Sequence, residues 1–279
     1  MKAIILIISL LAIHVCKAQN YQLNEDERFV YQVKQLDELI ERFNGEDKTL
    51  VKEYINKSNP EAKVDRTTLI KTLFNSQKKN WNLVDVKAFI TYVNDKSHPV
   101  YLNFEDDAWF AEAKCSVLYK GKSEKIHLIL KVQKEKNDAL KWVFVSAKSG
   151  FMPKSLTFSE FLLPAPENTT SNINPISHTT DFMSLDIALN DKNNLINYIA
   201  RDCRSGDLLH FLQEMDSKNV IFEQVDSITY HFLQIDGWGF TVQKFRRPMK
   251  NSGWLVNSLT KMDQKAKESY LISVLNISR

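Results

Sequence analysis

From Trp109 onward the hydrophobic period of the chain changes from that of a helix to two, and this change restricts the fold more than any other feature. Trp109, Ala111, Ala113, Cys115, Val117 and Tyr119 alternate with Phe110, Glu112, Lys114, Ser116 and Leu118. Ile126, Leu128, Leu130 and Val132 alternate with His127, Ile129, Lys131 and Gln133, and Leu140, Trp142 and Phe144 continue the pattern. Period two with turn residues between the runs predicts antiparallel strands that bury one face. Lys120-Gly121-Lys122-Ser123 and Lys136-Asn137-Asp138 are the predicted hairpin turns.

Helical periodicity precedes the strands. Phe29, Val33, Leu36, Ile40 and Phe43 form one apolar stripe, with Asn24 as its N-cap, Glu27 three positions later and Asn44-Gly45 as its stop. A short helix near 48–57 ends at Asn59-Pro60. Leu69, Ile70, Leu73 and Phe74 predict another, and Leu83, Val86, Ile90 and Val93 a fourth that stops before Pro99.

The second half repeats this order. Leu185, Ile187, Leu195, Ile196, Ile199, Leu208, Leu209 and Leu212 lie in helical segments, with Ser205 as a cap. Ile228, Tyr230 and Phe232 alternate with polar partners, as do Phe240 and Val242, and Trp254-Leu255-Val256 closes the set. Asp236-Gly237 and Asn251-Ser252-Gly253 are turn signals. Leu128, Leu130 and Trp142 stand at the same mutual spacing as Phe240, Val242 and Trp254, which suggests a diverged duplication of a helices-then-sheet unit. The tail, 260–277, reads as a helix with Met262, Ala266, Tyr270 and Val274 on one face, packed back on the sheet.

The two ends of this pattern are joined by a different composition. Four of the 7 prolines (Pro153, Pro164, Pro166 and Pro175) fall in one stretch with Asn168-Thr169-Thr170-Ser171-Asn172. At the N-terminus, Lys2, an apolar run from Ala3 to Val15 and the small residues Cys16 and Ala18 describe a secretory signal peptide cut after Ala18. The run is shorter than the roughly 20 apolar residues of a spanning helix. Lipidation at Cys16 would want a small residue before it, and Val15 stands there. The expected organisation is 1–18 signal peptide, 19–150 an N-terminal lobe, 151–178 a linker, and 179–279 a C-terminal lobe. The expected fold class is α+β, with helices followed by a curved antiparallel sheet in each lobe.

This layout resembles the NTF2-like (cone-shaped, cystatin-like) superfamily, here in duplicate. The signal peptide ending Ala18-Gln19, the stretch Asp107-Ala108-Trp109-Phe110-Ala111-Glu112 and the stretch His178-Thr179-Thr180-Asp181-Phe182-Met183 resemble a group of secreted proteins of Gram-negative gut bacteria. The resemblance implies export to the periplasm or beyond the cell. It implies no catalytic residue, because the fold hosts enzymes, binders and structural modules alike.

Composition and motifs exclude several classes of function. Removal of Lys2 and Lys17 leaves 35 basic against 34 acidic residues, so the mature chain is close to neutral and gives no reason to expect a nucleic-acid partner. The sequence contains no GxGxxG, Walker P-loop, HExxH, GxSxG or CxxC. His98, His127, His178, His210 and His231 are dispersed without zinc-ligand spacing, so no metal or other cofactor is expected. Glu105-Asp106-Asp107 reads as a solvated turn. Two cysteines remain after cleavage, Cys115 and Cys203; an oxidising compartment permits a disulfide, and spacing does not decide it. Ala111, Ala113 and Cys115 leave volume over the sheet, either filled by a helix or left as a cavity lined by Trp109 and Tyr119.

His231 lies five positions from both Asp226 and Asp236, so a catalytic partner would have to come from another strand. Tyr230, Trp238, Phe245, Arg246 and Arg247 bring aromatics and cations near one hairpin, a mixture suited to glycan or protein contacts, with core packing of the aromatics and solvated arginines as the default reading. The expected function is an exported, non-enzymatic binding or interaction protein with a protein, glycan or small-molecule partner. The alternative is an NTF2-like isomerase, dehydratase or hydrolase. The candidate ligand-binding residues are Trp109, Tyr119, Tyr230, His231, Trp238 and Arg246; none is assigned as catalytic.

Overall fold

The computed structural model describes residues 29–46, 50–58, 61, 64–135, 138–152, 185, 188–189, 195–203 and 205–277. The expected signal peptide, the helix cap at Asn24 and nearly all of the expected linker lie outside the described residues. The fold is mixed α+β, with one six-stranded antiparallel sheet. Helices α1 (Leu36–Asn44), α2 (Leu50–Ser58), α3 (Arg66–Thr72) and α4 (Leu83–Val93) precede strands β1 (Trp109–Tyr119), β2 (Lys122–Lys134) and β3 (Leu140–Ser149). A 3₁₀ turn (Leu195–Tyr198) and α5 (Gly206–Asp216) precede β4 (Val220–Phe232), β5 (Trp238–Phe245) and β6 (Gly253–Lys261), and α6 (Gln264–Ser273) follows.

The strand order is β3-β2-β1-β4-β5-β6. The two sets of strands expected in separate lobes therefore form one sheet, joined where β1 pairs antiparallel with β4 along its whole length, Trp109 opposite Phe232 and Tyr119 opposite Val220. The physical reason is the edge: an eleven-residue β1 paired only with β2 would leave a long row of backbone donors and acceptors open, and β4 satisfies them. Lys120 and Gly121, both at positive φ (50° and 80°), make the tight β1–β2 hairpin whose twist such a turn matches.

The chain divides into two units. The first holds residues 1–81 and 244–255. Its core includes Leu39, Phe43, Val51, Leu69, Ile70 and Leu73. The helix expected over Phe29–Phe43 is interrupted: α1 starts at Leu36, after a separate helical turn at 29–31. Val33 leaves the helix because its N–H donates to Ser252 O (3.1 Å) and its C=O accepts from Trp254 N–H (2.8 Å). Gly253 makes this approach feasible, since it has φ +87° and a Cβ there would lie 1.9 Å from Val33 O. Arg42 is buried beneath the interruption and donates to the carbonyls of Val30, Tyr31 and Gln32 and to Glu38.

The second unit holds residues 82–243 and 256–279. Asn82 caps α4 by accepting from the N–H groups of Val84 and Asp85. The α4 ring Phe89 meets Trp238 (5.5 Å) and Phe240 (5.8 Å) edge-on. Phe240 stacks on Phe232 at 4.8 Å, Phe232 on Trp109 at 5.4 Å, and Trp142 stands edge-on to Trp109 at 5.0 Å. These rings continue the same sheet side as Ala111, Ala113 and Cys115, which are sealed from solvent. Cys115 and Cys203 are both buried; the first lies on β1 and the second donates to Val145 O of β3.

Candidate functional site

The polar side of the same sheet carries the chemistry. Glu112, Lys114 and Ser116 share one face of β1 because strand side chains alternate. Directly opposed residues point the same way, so His127 of β2 joins Lys114, and His231 of β4 joins Phe110. Glu112 sits between these two rows and reaches both histidines. Its Oε1 lies 2.8 Å from His127 Nδ1 and its Oε2 lies 3.2 Å from His231 Nε2. His231 Nδ1 in turn lies 2.8 Å from the Tyr270 hydroxyl of α6.

Asp263 caps α6 by accepting from Ala266 N–H, and the Lys267 ammonium donates to Ile235 O at 2.7 Å, which holds the helix on the sheet. Beyond α6, Asn276 accepts from Ser146 Oγ through its backbone carbonyl and donates to Ala147 O and Asp207. The helix and tail therefore cover Glu112's neighbours on this face, and Ile129 and Ser146 are fully buried. Exposure falls steeply along the chain of contacts: the His127 side chain is 33% exposed, Glu112 19% and His231 4%.

Burial alone would push the Glu112 carboxyl up. The hydrogen bonds from His127 and His231, with the attraction of both rings, outweigh it and hold the carboxyl at about 2. Burial, helped by the nearby Glu112 charge, pushes the Tyr270 phenol up to about 12. Glu112 is thus an acceptor and Tyr270 keeps its proton. It follows that His231 donates from Nε2 to Glu112 and, when neutral, accepts at Nδ1 from Tyr270. His127 donates from Nδ1, which leaves its Nε2 directed away from the carboxylate: a lone pair when the ring is neutral, an N–H donor when it is charged.

Farther along the face, Ser116 Oγ donates to Asp226 Oδ1 (2.7 Å) and Lys125 Nζ pairs with Asp226 Oδ2 (2.8 Å). Burial opposes ionisation of Asp226, but these donors and Gln224 bring its carboxyl below the ordinary range. Among the described residues, no group of His, Cys, Asp and Glu is arranged to hold a metal ion. Both Glu112 oxygens face histidine nitrogens, which leaves no shared point for a cation.

The candidates from the sequence are dispersed by the fold. Trp109, Tyr230 and Trp238 are core residues, at most 6% exposed. Trp109 and Tyr230 meet at 6.2 Å within the aromatic stack rather than at a surface. Tyr119 lies at the end of β1 against Phe151, at 4.8 Å. Arg246 is exposed, and Arg247 lies over Phe245 at 4.4 Å and donates to Asn75. His231 is in the polar cluster, buried, and its carboxylate partner comes from another strand as expected, β1, 119 positions away. Glu112, His127 and Tyr270 were not singled out by sequence reasoning. Their signal was a carboxylate and a histidine on the non-apolar register of two adjacent predicted strands. Comparison with protein-family models, with curated proteins and with solved structures finds no match.

Proposed function

We propose that this chain is exported and works as a non-enzymatic binding protein, engaging its partner through the polar side of the sheet. The observation that carries this reading is the division of labour between the two sides. The large aromatics of one side are consumed by packing against one another and against α4. The other side presents a partly exposed histidine anchored on an ionised carboxylate. Export is supported by Lys2, the apolar run and the small residues before Gln19. Near-neutral charge supports a protein, glycan or small-molecule partner over a nucleic acid. No helix among the described residues is long and apolar enough to cross a membrane.

The same reading takes the two halves as diverged copies of an NTF2-like helices-then-sheet unit joined by the proline-rich stretch. It is supported by the strand order: two three-stranded meanders meeting at their first strands place β2 with β5 and β3 with β6 as counterparts. Leu128, Leu130 and Trp142 fall on β2 and β3, and Phe240, Val242 and Trp254 on β5 and β6. The test of the binding reading is a thermal-shift screen of the chain from Gln19 to Arg279 against metals, nucleotides, glycans, amphiphiles and short peptides. A ligand at about 100 times its Kd adds roughly 2.7 kcal/mol and moves the midpoint by a few degrees. A panel without any shift, together with retention of the full-length chain in the cytoplasm on fractionation, would sink it.

One observation favours the alternative, an isomerase, dehydratase or hydrolase of NTF2-like kind. A carboxylate-oriented imidazole with its second nitrogen open has the form of a general base. Turnover of a small substrate that is lost in His127→Gln and retained in Lys265→Gln would establish it.

A further inference from the structure

We infer that the cross-strand row Lys148–His127–Lys114 is a docking site for an extended polycarboxylate, and that the ligand is an acidic glycan of uronate type. The inference deepens the binding reading and rests on it. His127 stands directly opposite Lys114 on one side and Lys148 on the other, and Ser227 of β4 stands opposite Lys114. Four side chains from four adjacent strands therefore point from the same sheet face in one line. Strands lie about 4.8 Å apart, so the two lysines stand roughly 9–10 Å apart at their bases with the imidazole between them.

Lys114, Lys148 and Ser227 are exposed, and His127 is the exposed end of the Glu112–His231–Tyr270 chain. Neither lysine has a carboxylate within ion-pair distance among the described residues, whereas Lys125, one row away, is paired with Asp226. The two ammonium groups flank the imidazole and stand two strands apart on one face, so an anionic chain laid across the strands meets both. Glu112 holds the imidazole by Nδ1 and so aims Nε2 outward, fixing the middle contact in the row.

The form of the row selects the ligand. Two point charges about two strand spacings apart fit carboxylates recurring along an extended polymer better than one compact anion. Phosphate recognition characteristically uses guanidinium forks or nests of backbone N–H groups, and this row offers ammonium groups, an imidazole and a hydroxyl. The neighbouring carboxylates Glu112 and Asp226 make the face unsuited to the dense charge of a nucleic acid. An acidic peptide added as a strand would run along the edge strand β3 and meet Lys148 alone, whereas the row runs across β3, β2, β1 and β4.

The test measures binding of polygalacturonate to the chain from Gln19 to Arg279 by calorimetry, with poly-glutamate and polyphosphate as competitors. The expected result is salt-sensitive binding that weakens at least roughly tenfold in the double variant Lys114→Glu/Lys148→Glu, about 1.4 kcal/mol. Lys265→Glu, on exposed α6 surface, should leave affinity within about twofold. Both lysines project into solvent, so the double variant should melt with the wild type. Unchanged affinity in that variant overturns the site. So does a wild-type protein that ignores polygalacturonate while another ligand of the thermal-shift panel binds, and in that case the binding reading survives. Equal or tighter binding of poly-glutamate or polyphosphate overturns the glycan assignment. Failure of every ligand removes both readings together.

Discussion

At the residue scale, Glu112 controls the polar side of the sheet. It is held ionised in a largely buried place by two histidines, so its contribution to stability depends on charge. Its folded-state value lies below the ordinary 4.5, at about 2. Its contribution is therefore complete above about pH 4.5 and is lost as pH falls through about 2. Glu112→Gln keeps the shape and removes the charge, and should cost about 1.5–3 kcal/mol at pH 7 in urea unfolding. The gap from wild type should close as pH is lowered into that window; a gap of the same size at pH 7 and at the acid end would refute the electrostatic account. Tyr270 gives the opposite limb. Its value is raised from 10.0 to about 12, so its stabilising effect is complete below pH 10 and fades as pH rises through about 12. Tyr270→Phe strands the buried His231 Nδ1 and should cost about 1–3 kcal/mol at neutral pH, while removing this alkaline limb. An unchanged alkaline transition in that variant would show that Tyr270 does not shape it.

At the scale of the element, the local signals held where a segment satisfied itself. Ser205 caps its helix with a side-chain oxygen as expected, the structure adds the caps Asn82 and Asp263, and the helices near 50, 66 and 83 lie where the apolar spacing predicts them. The exception is the stripe from Phe29 to Phe43, whose period fits one helix. There the backbone of Val33 is taken by Ser252 and Trp254, and Arg42 gathers the freed carbonyls. Two hydrogen bonds to a segment more than two hundred residues away compete with one helical turn, and no local pattern records them. Gly253 is the point on which this depends. Gly253→Ala introduces a positive-φ strain of roughly 1–2 kcal/mol and a Cβ 1.9 Å from Val33 O, which must move apart. The expected loss is at least about 3 kcal/mol in equilibrium unfolding, at the upper end for single substitutions. A loss below about 1 kcal/mol would mean that the two segments part easily.

At the scale of the whole molecule, the six strands act together. The sequence suggests two lobes that each finish their own sheet, and a chain ending at Gly150 would then fold unaided. With β1 paired to β4 over its length, and with Trp109 stacked on Phe232, residues 19–150 alone lose one edge of β1 and much of its aromatic packing. That fragment is expected to be aggregated or without dispersed amide resonances, and to become ordered when residues 179–279 are supplied. A monomeric, dispersed spectrum of the isolated fragment would restore the picture of self-sufficient lobes. In the sequence by itself, local patterning carried most of the helices, the apolar register of the strands and the β1–β2 hairpin turn. It missed the break in the Phe29–Phe43 stripe and read Thr260 and Lys261, the end of β6, as helix, while Lys136 and Asn137 of the other expected hairpin turn lie outside the described residues. What it carried depends on neighbours within a few positions, where periodicity and turn chemistry are written directly. It did not determine that the aromatics proposed for a ligand would fill the core, because a buried ring and a stacking platform have the same spacing. Nor did it determine that Glu112 would meet His127 and His231. That meeting needs β1 to lie between β2 and β4, and strand order is fixed by long-range edge pairing and by burial of the shared aromatic layer, which only the tertiary structure decides.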